Sequence, residues 1–292
     1  MTLLNPFDIQ TWDSFISEET KIQALQALEN GKVLYFPSLA FALNEKEQTL
    51  LSPSILDKKA KNISYDGRSD RLGGANLTGH ETDHLKTMIR RYSIESRRFL
   101  EKILPHYKPH LKQGKTSFRP VEIAGRKTSY RKDDTRLHVD AFPSNPTRGH
   151  RILRIFTNIN HEGKSRIWRL GEPLEDVLKR FLPMASPPIR GMSALLKWLK
   201  ITKDYRTPYD HYMLRIHDTM KGDEKYQKAV PQEEISFPPG SSWIVYTDQV
   251  SHAAMSGQHV LEQTFHIPLN GLKDESTAPL KVMEKILNKN LA

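Results

Sequence analysis

The chain of 292 residues contains no cysteine, and this absence excludes several kinds of chemistry. Without thiols there is no disulfide framework, no cysteine-ligated zinc site and no thiol nucleophile. No apolar run approaches the roughly 18 residues of a membrane span, and residues 1–8 lack the basic segment of a secretory signal. A glycine-rich phosphate loop and a Gly-x-Ser-x-Gly elbow are also missing. These absences favour a cytoplasmic location.

Acidic residues are relatively few, with 34 Asp and Glu against 44 Lys and Arg, which gives a formal net charge of +10. A basic excess suits an anionic partner, and nucleic acid, an anionic membrane or an acidic sugar or phosphate substrate all fit. If the net charge is considered alone, solvated lysines on the surface explain it equally well. The sequence has no recognised nucleic-acid-binding motif, so we expect no nucleic acid as a partner.

The hydrophobic pattern changes near residue 116. Spacings of three and four residues predict helices over 14–30 and 85–104, so residues 1–115 are expected to be a mostly helical N-terminal support. Beyond it, short β-branched and aromatic segments alternate with turns, which is typical of a double-sheet jelly roll. The predicted strands are 32–37, 117–123, 128–131, 136–142, 151–160, 166–170, 241–247 and 260–267.

The helical pattern returns over about 172–232, between two predicted strands, and 271–292 is expected to be a C-terminal helix. No linker divides the chain. We therefore predict one domain over 1–292 of α+β, mainly β class, with a double-stranded β-helix (jelly-roll) core over 116–270. N-terminal helices and the helical insertion surround this core.

A metal site is predicted from three residues. In a strand, His138 and Asp140 project from the same face, so a nitrogen and an oxygen ligand can reach one ion. His252, 112 residues after Asp140, is the best third ligand. Two histidines and one carboxylate with open positions form the site of non-haem Fe(II) oxygenases, and the same ligands accept other divalent metals. An isolated His-x-Asp is more often a surface ion pair; its position in the first clear jelly-roll strand favours the metal.

Residues 136–146, 148–160, 168–173, 209–214 and 251–257 together resemble the 3-deoxy-D-manno-octulosonic acid (Kdo) 3-hydroxylase family. The resemblance covers most of 117–268 and is thin in the first hundred residues. It implies an Fe(II)- and 2-oxoglutarate-dependent dioxygenase that uses O₂ to hydroxylate C3 of a Kdo sugar in Kdo-lipid A of lipopolysaccharide. It also makes the three residues above the iron ligands and catalytic residues. Ascorbate is a candidate additional cofactor.

One feature departs from many 2-oxoglutarate oxygenases, which carry an arginine about ten residues after the distal histidine. None follows His252 here. Strand alternation places Arg154 and Asn158 on one face, and we predict that Arg154 binds the C5 carboxylate of 2-oxoglutarate, with Asn158 and Tyr130 as further cosubstrate-binding candidates. A salt bridge to a core acid would explain Arg154 equally well, and core packing is the simpler role for Tyr130.

Residues 188–203 combine aliphatic residues and Trp198 with three lysines, a composition that suits an interfacial helix. Together with an anionic glycolipid substrate, this predicts peripheral attachment at the cytoplasmic face of the inner membrane; an ordinary buried helix is the commoner outcome of such a pattern. Three alternatives stay open: a cupin-like isomerase or hydrolase, a 2-oxoglutarate oxygenase with a different anionic substrate, and a basic nucleic-acid-binding protein.

Overall fold

The computed structural model describes residues 3–126 and 128–292. Within these ranges eleven strands form two sheets, and eight α-helices pack around them. The strands are β1 (Leu4–Pro6), β2 (Val33–Phe36), β3 (Ile63–Asp66), β4 (Arg71–Gly73), β5 (Lys112–Arg119), β6 (Arg151–Asn158), β7 (Arg166–Leu170), β8 (Glu233–Phe237), β9 (Ser242–Tyr246), β10 (His252–Ser256) and β11 (Val260–Ile267). The helices are α1 (Glu18–Glu29), α2 (Glu45–Gln48), α3 (Gly79–Ile103), α4 (Leu174–Phe181), α5 (Met192–Trp198), α6 (Pro208–Gly222), α7 (Glu224–Ala229) and α8 (Pro279–Leu287).

The larger sheet has the strand order β1-β2-β9-β6-β11-β5-β3-β4, and the smaller sheet has the order β10-β7-β8. Strand β6 pairs antiparallel with both β9 and β11, and all its residues are buried. Its side chains alternate between two environments. Leu153 and Ile155 face the helices, whereas Phe156 faces the smaller sheet. Two sheets packed face to face confirm the predicted jelly roll.

An aromatic cluster joins the two sheets. Trp243 of β9 stacks on Phe237 of β8 with ring centroids 4.0 Å apart, and on Phe156 at 5.2 Å. Trp168 of β7 meets Phe156 edge-on at 5.1 Å. Because large aromatic side chains dominate the energetics of a core, this cluster sets the spacing between the sheets. Trp168 also stacks on the ring of His252, one of the predicted metal ligands.

The N-terminal helices cover the outer face of the larger sheet. Helix α1 begins at Ser17, whose hydroxyl accepts a hydrogen bond from the Thr20 amide, and α3 ends before Pro105. Both confirm helices predicted from periodicity. The same part of the chain also supplies β1 to β4 at the two edges of the sheet. It is therefore less purely helical than expected, since only β2 was predicted.

Helices α4 to α7 lie between β7 and β8, which confirms the predicted helical insertion, and α8 follows β11. Helices α4, α6 and α8 share a hydrophobic core with Leu137 and Val139. The insertion therefore packs against the outward side of the segment that carries His138 and Asp140. No helix in the described ranges is long and apolar enough to cross a membrane.

Some strands differ from the predictions. Residues 128–131 were expected to be a strand, but Tyr130–Lys132 forms a 3₁₀ turn. Residues 136–142 pair with a neighbour through only one isolated bridge, at His138. Strands β8 and β10 were not predicted. Strand β10 contains two alanines and no β-branched residue, so its extended conformation comes from pairing with β7 and not from local propensity.

Candidate metal centre

The backbone brings His138 and His252 together. The two residues form an antiparallel bridge, in which the His138 amide donates to the His252 carbonyl at 3.0 Å and the reverse bond measures 2.9 Å. The Asp140 amide donates to the Thr247 carbonyl at 2.7 Å, which holds the rest of the segment beside the end of β9. Two residues 114 positions apart are thus fixed as neighbours by main-chain hydrogen bonds.

The three predicted ligands converge. His138, Asp140 and His252 each offer one ligand atom, and these atoms all lie within 4.8 Å of one another. Nε2 of His138 is 3.7 Å from Oδ1 of Asp140, and the two imidazole centroids are 4.6 Å apart. Trp168 stacks on the His252 ring at 5.0 Å. Both histidines are buried, so a bound ion would be largely shielded from bulk water.

Hydrogen bonds select the tautomer of both histidines. Nδ1 of His138 lies 2.8 Å from the Arg136 carbonyl, and Nδ1 of His252 lies 2.8 Å from the Val250 carbonyl. A carbonyl only accepts, so Nδ1 carries the proton and Nε2 keeps its lone pair. Burial lowers the pKa of His252 and, with repulsion from His252 and Lys221, lowers that of His138. The neutral imidazole is the form that binds metal.

Asp140 is held as a carboxylate by an arginine. Burial alone would raise the pKa of Asp140, but the Arg154 guanidinium, followed by the two histidines, lowers it well below its usual range. Nη2 of Arg154 lies 3.0 Å from Oδ2 of Asp140, and Nη1 lies 3.1 Å from Oε1 of Glu262. Glu262 also pairs with Arg119. A chain of buried charges therefore extends from the ligand set across three strands.

The donor set fits Fe(II), since two imidazoles and one carboxylate leave coordination positions for other ligands. The surroundings fit an anionic cosubstrate. Among the described residues, three buried donors on the strands between which the triad lies have no acceptor: Nε of Arg154, Nε of Arg166 and Nε1 of Trp168. Burial and the nearby Arg119 lower the pKa of Arg166 to about 9. Unmatched buried donors and an unpaired guanidinium are what a carboxylate ligand would satisfy.

The predicted cosubstrate-binding residues do not lie together in the structure. Arg154 points into the jelly roll, as alternation predicted. Asn158 shares that face, but it lies four residues along β6, roughly 13 Å away at strand rise. Its amide donates to the Lys164 carbonyl at 3.0 Å and the Phe237 carbonyl at 2.9 Å, and its Oδ1 accepts from the Asn160 amide.

The structure therefore does not bring Asn158 to the triad, and its side chain is engaged by the following loop and by the end of β8. Tyr130 lies in the 3₁₀ turn next to Gly222 of α6. The residue is 38% exposed, and the Arg131 guanidinium lies 5.1 Å from the centroid of its ring. It does not occupy the strand position that the sequence suggested.

Sequence reasoning missed four residues around the triad: Arg119, Arg166, Trp168 and Glu262. Two signals were available. Alternation in β7 puts Arg166 on the same face as Trp168, and Glu262 is the residue ten positions after His252, where an arginine was sought. The pairing of Glu262 with both Arg119 and Arg154 could not be predicted from the sequence, because it depends on contacts between distant segments.

A jelly roll with a buried triad of two histidines and one carboxylate defines the class of metal-dependent jelly-roll proteins to which the non-haem iron oxygenases belong. Comparison with known proteins narrows the class. The model of the 3-deoxy-D-manno-oct-2-ulosonic acid (Kdo) hydroxylase family matches residues 11–290, and the chain belongs to this family. A search of curated proteins found no significant match.

Solved structures of the Kdo hydroxylase KdoO are similar to this chain over almost its whole length. KdoO is described as a non-haem Fe(II) alpha-ketoglutarate-dependent dioxygenase. Its complex with alpha-ketoglutarate and Fe(III) is 49% identical, with a TM-score of 0.96, and its complex with cobalt(II) is 50% identical, with a TM-score of 0.97. Each alignment covers 99% of this chain and 97% of the other.

We predict that replacing His252 with alanine will weaken metal binding at least a hundredfold while leaving the fold intact, because it removes one coordination position and little core volume. The same result is expected for His138→Ala and Asp140→Ala. The measurement is titration of apoprotein with Co(II), followed by absorbance and calorimetry, with circular dichroism as the check on folding.

His211→Ala is the matched control, since His211 is an insertion histidine whose ring bonds the Ser186 carbonyl away from the triad. It should bind Co(II) like the wild type. Undiminished Co(II) affinity in His252→Ala would remove this residue from the ligand set.

Proposed function

We propose that this chain is an Fe(II)- and 2-oxoglutarate-dependent dioxygenase that hydroxylates C3 of a Kdo residue in Kdo-lipid A. The observation that carries the proposal is the buried triad, with both Nε2 atoms free and Asp140 ionised, in a chain 49% identical to KdoO. When bound, Fe(II) with 2-oxoglutarate and O₂ supplies the oxidising chemistry, coupled to release of CO₂ and succinate. The protein supplies ligands, orientation and a dry site.

The residues around the triad perform these tasks by position. The carbonyls of Arg136 and Val250 hold each imidazole proton on Nδ1, so neither histidine needs to change tautomer to bind metal. Trp168 covers one face of His252 and helps to exclude water. In such a low-dielectric setting, electrostatic interactions with ligands are stronger than in water.

For the cosubstrate, we propose that Arg154 binds the C5 carboxylate of 2-oxoglutarate. Its guanidinium lies beside Asp140 on the interior face of β6, and its Nε has no acceptor among the described residues. Asp140 and Glu262 already neutralise its charge, so a second cation is useful. We propose Arg166 for this role, because no acid in the described ranges lies within 4 Å of its guanidinium and only the Gly257 carbonyl accepts from it.

The reaction is tested with purified protein, Fe(II), 2-oxoglutarate and Kdo-lipid A. We expect succinate and a product heavier by one oxygen in equal amounts, with the oxygen on C3 of Kdo by mass spectrometry and NMR. Lipopolysaccharide from cells with and without the gene should differ by the same oxygen. Substrate-independent succinate release, with no oxygen gained by any Kdo glycolipid, would contradict the proposed substrate.

The anchor is tested by replacing Arg154 with lysine, which keeps the charge but loses the planar fork. We expect the KM for 2-oxoglutarate to rise about tenfold, equivalent to roughly 1.4 kcal/mol, with a smaller change in Co(II) affinity. Arg169→Lys, on the opposite face of β7 and half-exposed, is the control and should change neither. A rise in Arg166→Lys with none in Arg154→Lys would move the anchor to β7.

For membrane attachment, we propose that the α5 surface docks on the cytoplasmic face of the inner membrane. This surface consists of Ile189, Met192, Leu195, Trp198, Leu199 and Ile201. Helix α5 has no buried residue, so the ordinary buried helix does not account for its apolar side chains. Trp198 is 77% exposed and Ile189 70%. The exposed Lys200 and Lys203 flank them, and apolar anchors beside lysines suit an anionic lipid surface.

We expect Leu195→Glu/Trp198→Glu to reduce flotation with vesicles of phosphatidylglycerol and phosphatidylethanolamine at least tenfold, since it removes two apolar anchors and adds negative charge. Phe15→Glu is the control, because Phe15 is 91% exposed outside the α5 surface. Equal flotation of both variants, or none of the wild type at low salt, would contradict docking through α5.

A further inference from the structure

A cavity that is separate from the metal centre lies beside it. It has a volume of about 350 Å³, and its walls come from residues 56–61, 121–126 and 132–134. Ligand pockets for small molecules begin at about 300 Å³, so one sugar ring is of suitable size. None of the three metal ligands, and none of the arginines discussed above, lines this space.

The cavity shares a wall with the interior that holds the triad. The Asp134 carbonyl accepts a hydrogen bond of 2.7 Å from the Ala254 amide, two residues beyond His252. The Asp134 carboxylate lies 3.9 Å from Nη1 of Arg119, the arginine that also pairs with Glu262. On another wall, Ile123 is part of the core between the two sheets. A molecule in the cavity is therefore close to the metal centre.

Part of the positive charge at this cavity has no ion-pair partner. In the part of the chain that the structure describes, Lys59, Arg126 and Lys132 have no acid within ion-pair distance, whereas Lys61 pairs with Asp134. Arg126 is nevertheless held in place, since its guanidinium donates to the carbonyls of Glu122 at 2.7 Å and Val121 at 2.9 Å. Burial and Arg119 lower the pKa of Arg126, so an anionic ligand would be favoured here. A positioned guanidinium without an acid is suited to a carboxylate.

The two acids of the cavity are engaged but keep acceptor capacity. Asp134 pairs with Lys61 at 2.8 Å and lies 3.9 Å from both Arg119 and Lys221. Asp133 accepts from the amide and hydroxyl of Thr135 and pairs with Arg136 at 3.4 Å. A carboxylate has about four acceptor positions, so each keeps roughly one for a hydroxyl group. Leu56 and Val121 add apolar surface. Cations, acceptors and an apolar wall together match a carboxylate, several hydroxyls and the C–H face of a sugar acid.

We propose that this cavity binds the acidic sugar that is hydroxylated, with Arg126 and Lys132 at its carboxylate, and that it thereby distinguishes an acidic sugar from a neutral one. The inference rests on the proposed function and adds the residues that recognise its substrate.

The test measures binding of free Kdo by calorimetry to protein loaded with Co(II) and 2-oxoglutarate without O₂. We expect Lys132→Glu and Arg126→Gln each to weaken Kdo binding at least tenfold, with unchanged affinity for Co(II) and 2-oxoglutarate. Lys132 is exposed, so its variant is expected to fold even if Arg126→Gln does not. Lys108→Glu, an equal charge change at an exposed lysine outside the cavity, is the control.

The methyl ester of Kdo tests whether the cavity recognises the charge of the carboxylate or only the shape of the sugar. It should bind the wild type at least tenfold more weakly than Kdo does, and lose little further affinity in Lys132→Glu. Normal Kdo binding by both variants, or equal binding of ester and acid, would overturn the cavity assignment alone. A wild type that binds inorganic phosphate but not Kdo would overturn it together with the proposed substrate.

Discussion

The ion pair between Arg154 and Asp140 is the interaction on which the centre depends. A buried carboxylate or guanidinium without a partner costs several kcal/mol, so neither group would stay charged inside the jelly roll alone. Their 3.0 Å contact lets Asp140 remain an anion and so a metal ligand. Glu262 neutralises the rest of the Arg154 charge and is itself held by Arg119. The ligand set is therefore supported from three adjacent strands.

Strand register makes this support possible. Thr264 lies opposite Arg154 in the pairing of β11 with β6, so Glu262 is its diagonal neighbour on the same face. In the pairing of β11 with β5, Val260 lies opposite Arg119, which is again diagonal to Glu262. A slip of one residue would turn these side chains to the other face, where the helices pack. The sheet pairing and the ionisation of Asp140 are thus coupled.

Side-chain periodicity predicted what depends on local pattern. It placed His138 and Asp140 on one face, with Val139 packed on the helical insertion, and it directed Arg154 inward. Side-chain periodicity did not predict the features that depend on contacts between distant residues. Asn158 shares the face of Arg154 but is used by its own loop, and strand β10, which begins at His252, is extended only because β7 pairs with it.

The position ten residues after His252 shows the limit most clearly. A local rule looks for an arginine there, and the chain has Glu262. The structure keeps positive charge in the same region by placing arginines on both neighbouring strands, β5 and β6, with the glutamate between them. The positive charge therefore comes from residues of the adjacent strands and not from the position ten residues after His252. The pattern of a single strand does not predict such an arrangement.

The balance of charge around the triad links metal binding to cosubstrate binding. Among the described residues, Arg119 and Arg154 pair with Glu262, Arg154 also pairs with Asp140, and Arg119 lies 3.9 Å from Asp134, so these charges largely balance one another. A divalent metal adds positive charge in a medium where charges interact strongly. An anion bound nearby reduces it. The metal and a dianionic cosubstrate should therefore stabilise each other.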